Sequence, residues 1–131
     1  MLKREIHMFL KQTIVDQKEE QLRSKMKLLP EEKRAAVYSK FVKECKDPDT
    51  YAALNWSLFV GFHHLYLKQY YRAFIDWLCV FIGVALLLAD LSLGVIFILV
   101  VTILELYQLF RSQIIVQYYN NNLLEKILLY S

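Results

Sequence analysis

Glycine, proline and cysteine are scarce in this chain, which has three, two and two of them among 131 residues. So little glycine and proline excludes a collagen-like, linker-like or disordered chain, because those classes are rich in both. Cys45 lies in a charged segment and Cys79 in an apolar run, so the sequence predicts no disulfide framework. No uninterrupted apolar stretch follows the first charged residues, and we therefore expect no signal peptide.

The motifs that carry common enzyme chemistry are also missing. The sequence has no glycine-rich phosphate loop, Gly-x-Ser-x-Gly elbow, His-Glu-x-x-His helix or Cys-x-x-Cys pair. We therefore expect no enzyme, no catalytic residues and no cofactor. Basic residues in the first part of the chain are mixed with nearly as many acidic ones, so a nucleic-acid partner is not expected either.

Charge is almost absent from a long stretch towards the C-terminus. Residues 1–50 hold 12 of the 16 Lys and Arg and nine of the 13 Asp and Glu, whereas only Asp90 and Glu105 are charged between Trp77 and Phe110. A single helix over that stretch would be about 50 Å long, although a bilayer core is only about 30 Å thick. We therefore predict two membrane-crossing helices, about residues 73–89 and 92–110, joined by a turn at residues 90–94.

These features predict an all-α integral membrane protein with three parts. Residues 1–50 form a charged cytoplasmic helical arm, residues 51–112 a membrane domain with a transmembrane hairpin, and residues 113–131 an amphipathic C-terminal helix at the interface or in an oligomer contact. A hairpin with both ends inside keeps all 16 Lys and Arg cytoplasmic, which places the N-terminus in the cytoplasm, at the cell (inner) membrane. Residues 51–67 then insert partly or pack against the hairpin; the alternative is that they cross.

The arm is expected to be helical on both sides of Pro30. Met8, Val15, Leu22 and Leu29 are spaced by sevens in its first part. Tyr38, Phe41 and Val42 are among the apolar positions of the second helix. The arm is interpreted as a docking or oligomerisation element, a membrane-surface anchor, or a solvated helical hairpin folded over its own membrane domain.

Polar residues within the apolar part form a candidate cluster. Asp76 lies 14 residues before Asp90 and Glu105 lies 14 after Leu91, so antiparallel helices bring both carboxylates to one depth. The cluster is predicted to pair Arg72 with Asp76 and Glu105 with His63 or Arg111, or alternatively to relay protons or ions. Its full predicted membership is His63, His64, Arg72, Asp76, Thr102, Glu105, Gln108 and Arg111.

A metal site in this cluster is not expected from the sequence. His63 and His64 are adjacent, and neighbouring side chains on a helix point about 100° apart. Two such histidines would need an irregular backbone to bind one ion.

Residues 61–68, Gly-Phe-His-His-Leu-Tyr-Leu-Lys, resemble the signature of the small membrane domain called the TM-two domain. The usual pattern is Gly-x-(His or Asp)-Arg-Phe-Tyr-Leu-Gly, and Gly61, His63, Tyr66 and Leu67 match it. His64, Leu65 and Lys68 replace the Arg, the Phe and the final Gly, so the helix is expected to continue through Lys68. Glu105 stands where the family has an Asp in its second span, and Asn120 where an Asn often follows. The resemblance covers about residues 51–120 and implies an α-helical membrane module that acts as an adaptor or anchor.

The function predicted from the sequence is a structural or interaction subunit in the membrane. It would associate with itself or with a larger membrane complex, with the bilayer as one partner and residues 1–50 as the docking arm. One alternative is an oligomeric pore or proton-conducting element lined by His63, Thr102, Glu105 and Gln108. Another is a membrane-disrupting effector controlled by a partner.

Overall fold

The computed structural model describes residues 10–56 and 60–131, which are mainly helical and contain no strand in those two ranges. The all-α prediction is therefore confirmed for this part of the chain. The helices are α1 Gln12–Lys27, α2 Glu31–Glu44, α3 Pro48–Trp56, α4 Phe62–Tyr66, α5 Tyr70–Leu88, α6 Leu93–Phe110 and α7 Ser112–Leu129. The chain divides into an arm unit, containing α1, α2 and α7, and a hairpin unit, containing α3 to α6.

The arm unit has its own small hydrophobic core. Leu22 of α1, Val37 of α2, and Leu124 and Ile127 of α7 pack together with at most 6% of each residue exposed. Leu22 belongs to the predicted stripe of apolar residues spaced by sevens, whereas Met8 of that stripe lies outside the described residues. Burial of these side chains removes apolar surface from water, which is the main force that joins the three helices.

Phe41 of α2 packs against this core as its predicted apolar position suggests, but the fully buried residue of α2 is Val37, which was not among the predicted positions. Val37 is 2% exposed, while Tyr38 and Val42 are 60% and 51% exposed. On a short helix, several faces contain similar numbers of apolar residues, so the sequence alone does not determine which face is buried. Packing against α7, which is distant in the sequence, selects the face that contains Val37.

Polar side chains join α1 and α7 alongside this core. Lys18 Nζ donates to Asn122 at 2.7 Å and pairs with Glu125 at 2.8 Å. Asn121, which is 4% exposed, donates to the backbone oxygen of Val15 at 2.9 Å. The polar residues of the C-terminal helix therefore bind the arm of the same chain, a pairing over about a hundred residues that periodicity alone does not indicate.

The hairpin unit is built on α5 and α6, which are the two helices described here that are long and apolar enough to cross a membrane. They begin and end close to the predicted spans, and the turn lies at residues 89–92. Gly83 and Gly94 face each other across the hairpin, because a Cβ atom on Gly94 would fall on the carbonyl oxygen of Gly83. The two glycines allow the helix backbones to approach closely.

Two helix ends in this unit have the hydrogen-bond pattern of a Schellman motif. After α4, Gln69 N–H donates to His64 O at 2.8 Å and Lys68 N–H to Leu65 O at 2.9 Å. After α5, Leu91 and Asp90 make the equivalent bonds to Leu86 and Leu87, at 2.9 and 3.0 Å. Lys68 and Asp90 each have φ of 58°, in the left-handed region that such a motif requires and that glycine occupies most easily.

The expectation that the helix continues through Lys68 is therefore wrong. α4 ends at Tyr66, and the chain turns at Lys68 before α5 begins at Tyr70. A left-handed lysine costs about 1–2 kcal/mol. From the sequence, this cost favoured a helix that continues without a break, but the packing of α4 offsets it.

We expect Lys68→Gly to stabilise the hairpin unit. Glycine relieves the strain of the left-handed backbone, but its greater conformational freedom in the unfolded chain offsets part of this gain. The net increase in the free energy of unfolding is about 0.5–1 kcal/mol. Lys68→Ala is the matched control, because alanine keeps the strain and Lys68 is exposed. Thermal unfolding in detergent, followed by circular dichroism, measures the difference. Equal midpoints for the two variants would refute the assignment of Lys68 to this motif.

Candidate functional site

The short helix α4 carries two buried histidines into the hairpin unit. It has five residues and lies between two residues of positive φ, Gly61 at 83° and Lys68 at 58°. These turns fold α4 back onto α5, and His63 and His64 are 0% and 2% exposed. Their ring centroids are 4.0 Å apart, so the side chains converge although they are adjacent in sequence.

Each histidine faces one carboxylate from the hairpin. His63 Nδ1 lies 3.3 Å from Glu105 Oε2 of α6, and His64 Nε2 lies 3.2 Å from Asp76 Oδ2 of α5. Asp76 is six residues after the start of α5 and Glu105 five before the end of α6, so both lie about 8–9 Å from the same end of the hairpin. Asp76 and Glu105, which the sequence predicts to lie at the same depth, therefore each contact one of the two neighbouring histidines.

Tyr51 of α3 closes this cluster on the side of His63. It is 0% exposed, and its ring packs edge-on against the His63 imidazole with centroids 5.2 Å apart. Its hydroxyl donates to Gln108 Oε1 at 3.3 Å. Burial, and to a smaller extent the charge of Glu105, raises the pKa of Tyr51, while Arg72 acts in the opposite direction. Tyr51 therefore stays a neutral donor that separates the cluster from solvent.

Burial also determines the charge of His63. Burial, followed by the neighbouring imidazole of His64, lowers the pKa of His63 to about 3. His63 is therefore neutral at physiological pH, and one of its ring nitrogens carries a lone pair.

Several polar atoms of the cluster are buried without satisfying hydrogen-bond geometry among the described residues. Unmet donors and acceptors of this kind are costly, at about 1–3 kcal/mol each, and native proteins keep few of them. The atoms concerned are both ring nitrogens of His63, Nδ1 of His64, Oδ2 of Asp76 and both carboxylate oxygens of Glu105.

The structure brings together four of the eight residues predicted for the polar cluster: His63, His64, Asp76 and Glu105. Glu105 faces His63, one of its two suggested partners, whereas the contact of Asp76 with His64 was not anticipated. Gln108 joins through Tyr51.

Two of the remaining three residues have other surroundings, and the third, Arg72, lies beside the cluster. Thr102 is exposed, and its hydroxyl donates to Ile98 O in its own helix. Arg111 donates to the Tyr107 hydroxyl at 2.8 Å and lies over that ring. Arg72 is half-buried and near enough to Tyr51 to affect the pKa of its hydroxyl.

Tyr51 is the main site residue that sequence reasoning missed. In the sequence Tyr51 marks only the start of an apolar segment, although a buried tyrosine needs a hydrogen-bond partner for its hydroxyl and this one follows a polar loop.

The geometry allows a metal ion to be considered. One ligand atom each from His63, His64 and Glu105 lies within 4.8 Å of the others. The 100° separation expected for neighbouring residues on a helix does not keep the two imidazole rings apart, because their centroids are 4.0 Å from each other.

Comparison of the chain with family models, curated proteins and solved structures finds no match.

Proposed function

We propose that this chain is an integral membrane protein in which the α5–α6 hairpin crosses the bilayer. It would serve as a structural or interaction subunit that associates with itself or anchors a larger membrane complex. The observation that carries the proposal is the inverted polarity of the hairpin unit. His63, His64 and Glu105 are buried within the unit, while large apolar residues along both helices, such as Phe81 and Ile103, are exposed.

The apolar exterior is extensive on both helices. Only 11% of the apolar window of α5 and 17% of that of α6 is buried within the chain. Phe81 and Ile103, near the middle and in the second half of their helices, are 73% and 63% exposed. In water each exposed Å² of apolar surface costs about 25 cal/mol, and soluble monomers rarely expose such large patches. Lipid or a second apolar surface removes this cost.

The burial of the polar cluster favours the interpretation of this chain as a structural subunit rather than as a pore. His63 and Glu105, two of the residues proposed to line a lumen, pack inside a single chain at 0% and 9% exposure. Buried polar pairs of this kind hold short helices together in a membrane, where apolar packing alone provides no driving force. Thr102 faces outwards but bonds to its own backbone.

The resemblance to the TM-two pattern is part of this proposal. Both positions at which that pattern has glycine, Gly61 and Lys68, have positive φ here. A left-handed backbone at both places explains why a related sequence would use glycine there. The family implies an adaptor or anchor, which agrees with a docking role for the arm unit and a cytoplasmic N-terminus by the positive-inside rule.

Membrane insertion is tested by placing a charge on the exposed face of α5. We expect Phe81→Asp to reduce the membrane-integrated fraction sharply, because an aspartate at a helix centre costs about 2.5–3.5 kcal/mol on insertion. Tyr38→Asp is the matched control, since Tyr38 is 60% exposed but belongs to the arm unit. Resistance to alkaline carbonate extraction measures integration. Wild-type chain in the soluble fraction, or equal losses for both variants, would contradict the proposal.

The subunit and pore interpretations differ in particle mass and conductance. We expect native mass spectrometry of the delipidated particle to show a small assembly or a companion protein. Planar bilayer recordings should be unchanged by Glu105→Gln, since the subunit carries no current. A ring of several identical chains, together with a conductance that Glu105→Gln alters, would favour the pore. A monomer with no other protein bound would contradict the interpretation of the chain as a subunit.

A further inference from the structure

The cluster of His63, His64 and Glu105 contains buried polar atoms that a bound cation would pair with. All three residues are at least nine-tenths buried. By strict hydrogen-bond geometry, both carboxylate oxygens of Glu105 and Nδ1 of each histidine are unpaired among the described residues, although the Gln108 side chain lies near His63 and the Gly61 backbone near Glu105. Leaving one buried acceptor unpaired costs about 1–3 kcal/mol, and a buried charge costs more. A metal ion would supply the missing partner to all three side chains at once.

The distance between His63 and Glu105 fits a shared metal better than a hydrogen bond. Their facing atoms, Nδ1 and Oε2, are 3.3 Å apart. Hydrogen bonds between nitrogen and oxygen are about 2.7–3.2 Å, and charge-assisted ones about 2.7–2.9 Å. Two ligands at about 2.0–2.2 Å from one tetrahedral ion are separated by roughly 3.4 Å. All three ligand atoms lie within 4.8 Å of one another, so modest side-chain rotation completes the site.

Asp76 completes the arrangement from outside the ligand set. Its Oδ2 faces Nε2 of His64 at 3.2 Å. The two atoms are close but not aligned for a hydrogen bond. We infer that metal binding rotates His64 into line with Asp76, whose carboxylate then holds the proton on Nε2 and leaves the lone pair of Nδ1 for the metal. Nδ1 of His64, the nitrogen left for the metal, is buried without a partner.

The donor set indicates the class of ion. Two imidazole nitrogens and one carboxylate oxygen suit Zn²⁺, Fe²⁺, Co²⁺ or Mn²⁺, whereas Ca²⁺ and Mg²⁺ prefer oxygen ligands only. We propose that His63, His64 and Glu105 bind one first-row divalent transition metal ion, and that Asp76 positions His64. This site is independent of the proposed membrane role.

The test uses the full chain in nanodiscs, stripped with a chelator and reloaded with Zn²⁺ or Co²⁺. We expect one Zn²⁺ per chain by elemental mass spectrometry, and Co²⁺ absorption bands in the visible region that report nitrogen and oxygen ligands in a low-symmetry site. Glu105→Gln and His64→Ala should each weaken Zn²⁺ binding at least 100-fold. Asp76→Asn keeps all three ligands and should weaken it 10- to 100-fold.

The controls distinguish a specific metal site from adventitious metal binding. Asp90→Asn removes an exposed carboxylate from the same hairpin and should leave Zn²⁺ affinity unchanged. Each variant is first checked for wild-type helicity, and Asp76→Asn decides the matter if a ligand variant fails to fold. The proposal is overturned by absence of stoichiometric Zn²⁺, by equal affinity in Asp76→Asn and Asp90→Asn, or by Ca²⁺ binding as tightly as Zn²⁺.

Discussion

Replacing Gly94 by alanine should separate the two helices of the hairpin at the end nearest the turn. A Cβ atom at this position would fall on the carbonyl oxygen of Gly83 and lie 2.8 Å from Leu87 Cγ and 2.9 Å from Leu87 N. Two of these three atoms belong to the backbone of α5, so no side-chain rotation relieves the overlap. Overpacking of a rigid contact costs about 1–3 kcal/mol or more, and we expect about 3 kcal/mol here.

Gly83→Ala is the informative comparison for this prediction. Its Cβ atom would lie 2.9 Å from Ile98 Cγ1, which is a side-chain atom, and 3.2 Å from Gly94 O. Ile98 can shift by a few tenths of an ångström, so the expected loss is smaller, about 1 kcal/mol. Val95→Ala, at a residue 45% exposed, should cost least.

The relative stabilities of these three variants test the hairpin geometry. Unfolding of detergent-solubilised chain, followed by circular dichroism in increasing denaturant, should rank Gly94→Ala as least stable, then Gly83→Ala, then Val95→Ala. A Gly94→Ala chain as stable as Val95→Ala would mean that α5 and α6 do not meet through these glycines.

The hairpin was predictable because its signals are local. An apolar run too long for one crossing contains a single polar break, and the predicted spans at residues 73–89 and 92–110 differ from α5 and α6 by at most three residues at any end. The depth of Asp76 and Glu105 follows from counting residues away from that break. Neither step requires knowledge of which side chains pack together.

The segment before the hairpin was not predictable in the same way. Residues 51–67 form one apolar run in the sequence, but the structure has α3, then α4 after a left-handed Gly61. His63 and His64 both lie inside α4, so their rings come together through side-chain contacts with Glu105 of α6 and Asp76 of α5, which helical geometry alone does not indicate.

The arm unit shows a related limit. Its core joins residues of α1 and α2 to residues of α7 that are about a hundred positions away in the sequence. Periodicity identified Leu22 because that residue repeats within α1. It could not identify α7 as the partner, because an amphipathic helix that also carries tyrosines is equally typical of a membrane interface.

Truncating Leu22 to alanine should therefore loosen α1, α2 and α7 together. Leu22 is 2% exposed and packs against Val37, Leu124 and Ile127. Loss of a buried leucine costs about 2–5 kcal/mol, because transfer free energy and the remaining cavity both contribute. A core of this small size has few other buried side chains to compensate, so we expect a value in the upper half of that range.

Hydrogen exchange measured by mass spectrometry locates the effect in the chain. In Leu22→Ala, amide protons of α1, α2 and α7 should exchange faster, while those of α5 and α6 keep their protection, since they belong to the other unit. Leu28→Ala is the matched control, because Leu28 follows α1 and is 86% exposed. If only α1 lost protection in Leu22→Ala, α7 would not share a core with the arm, and the residues of α7 would be free to lie at a membrane interface instead.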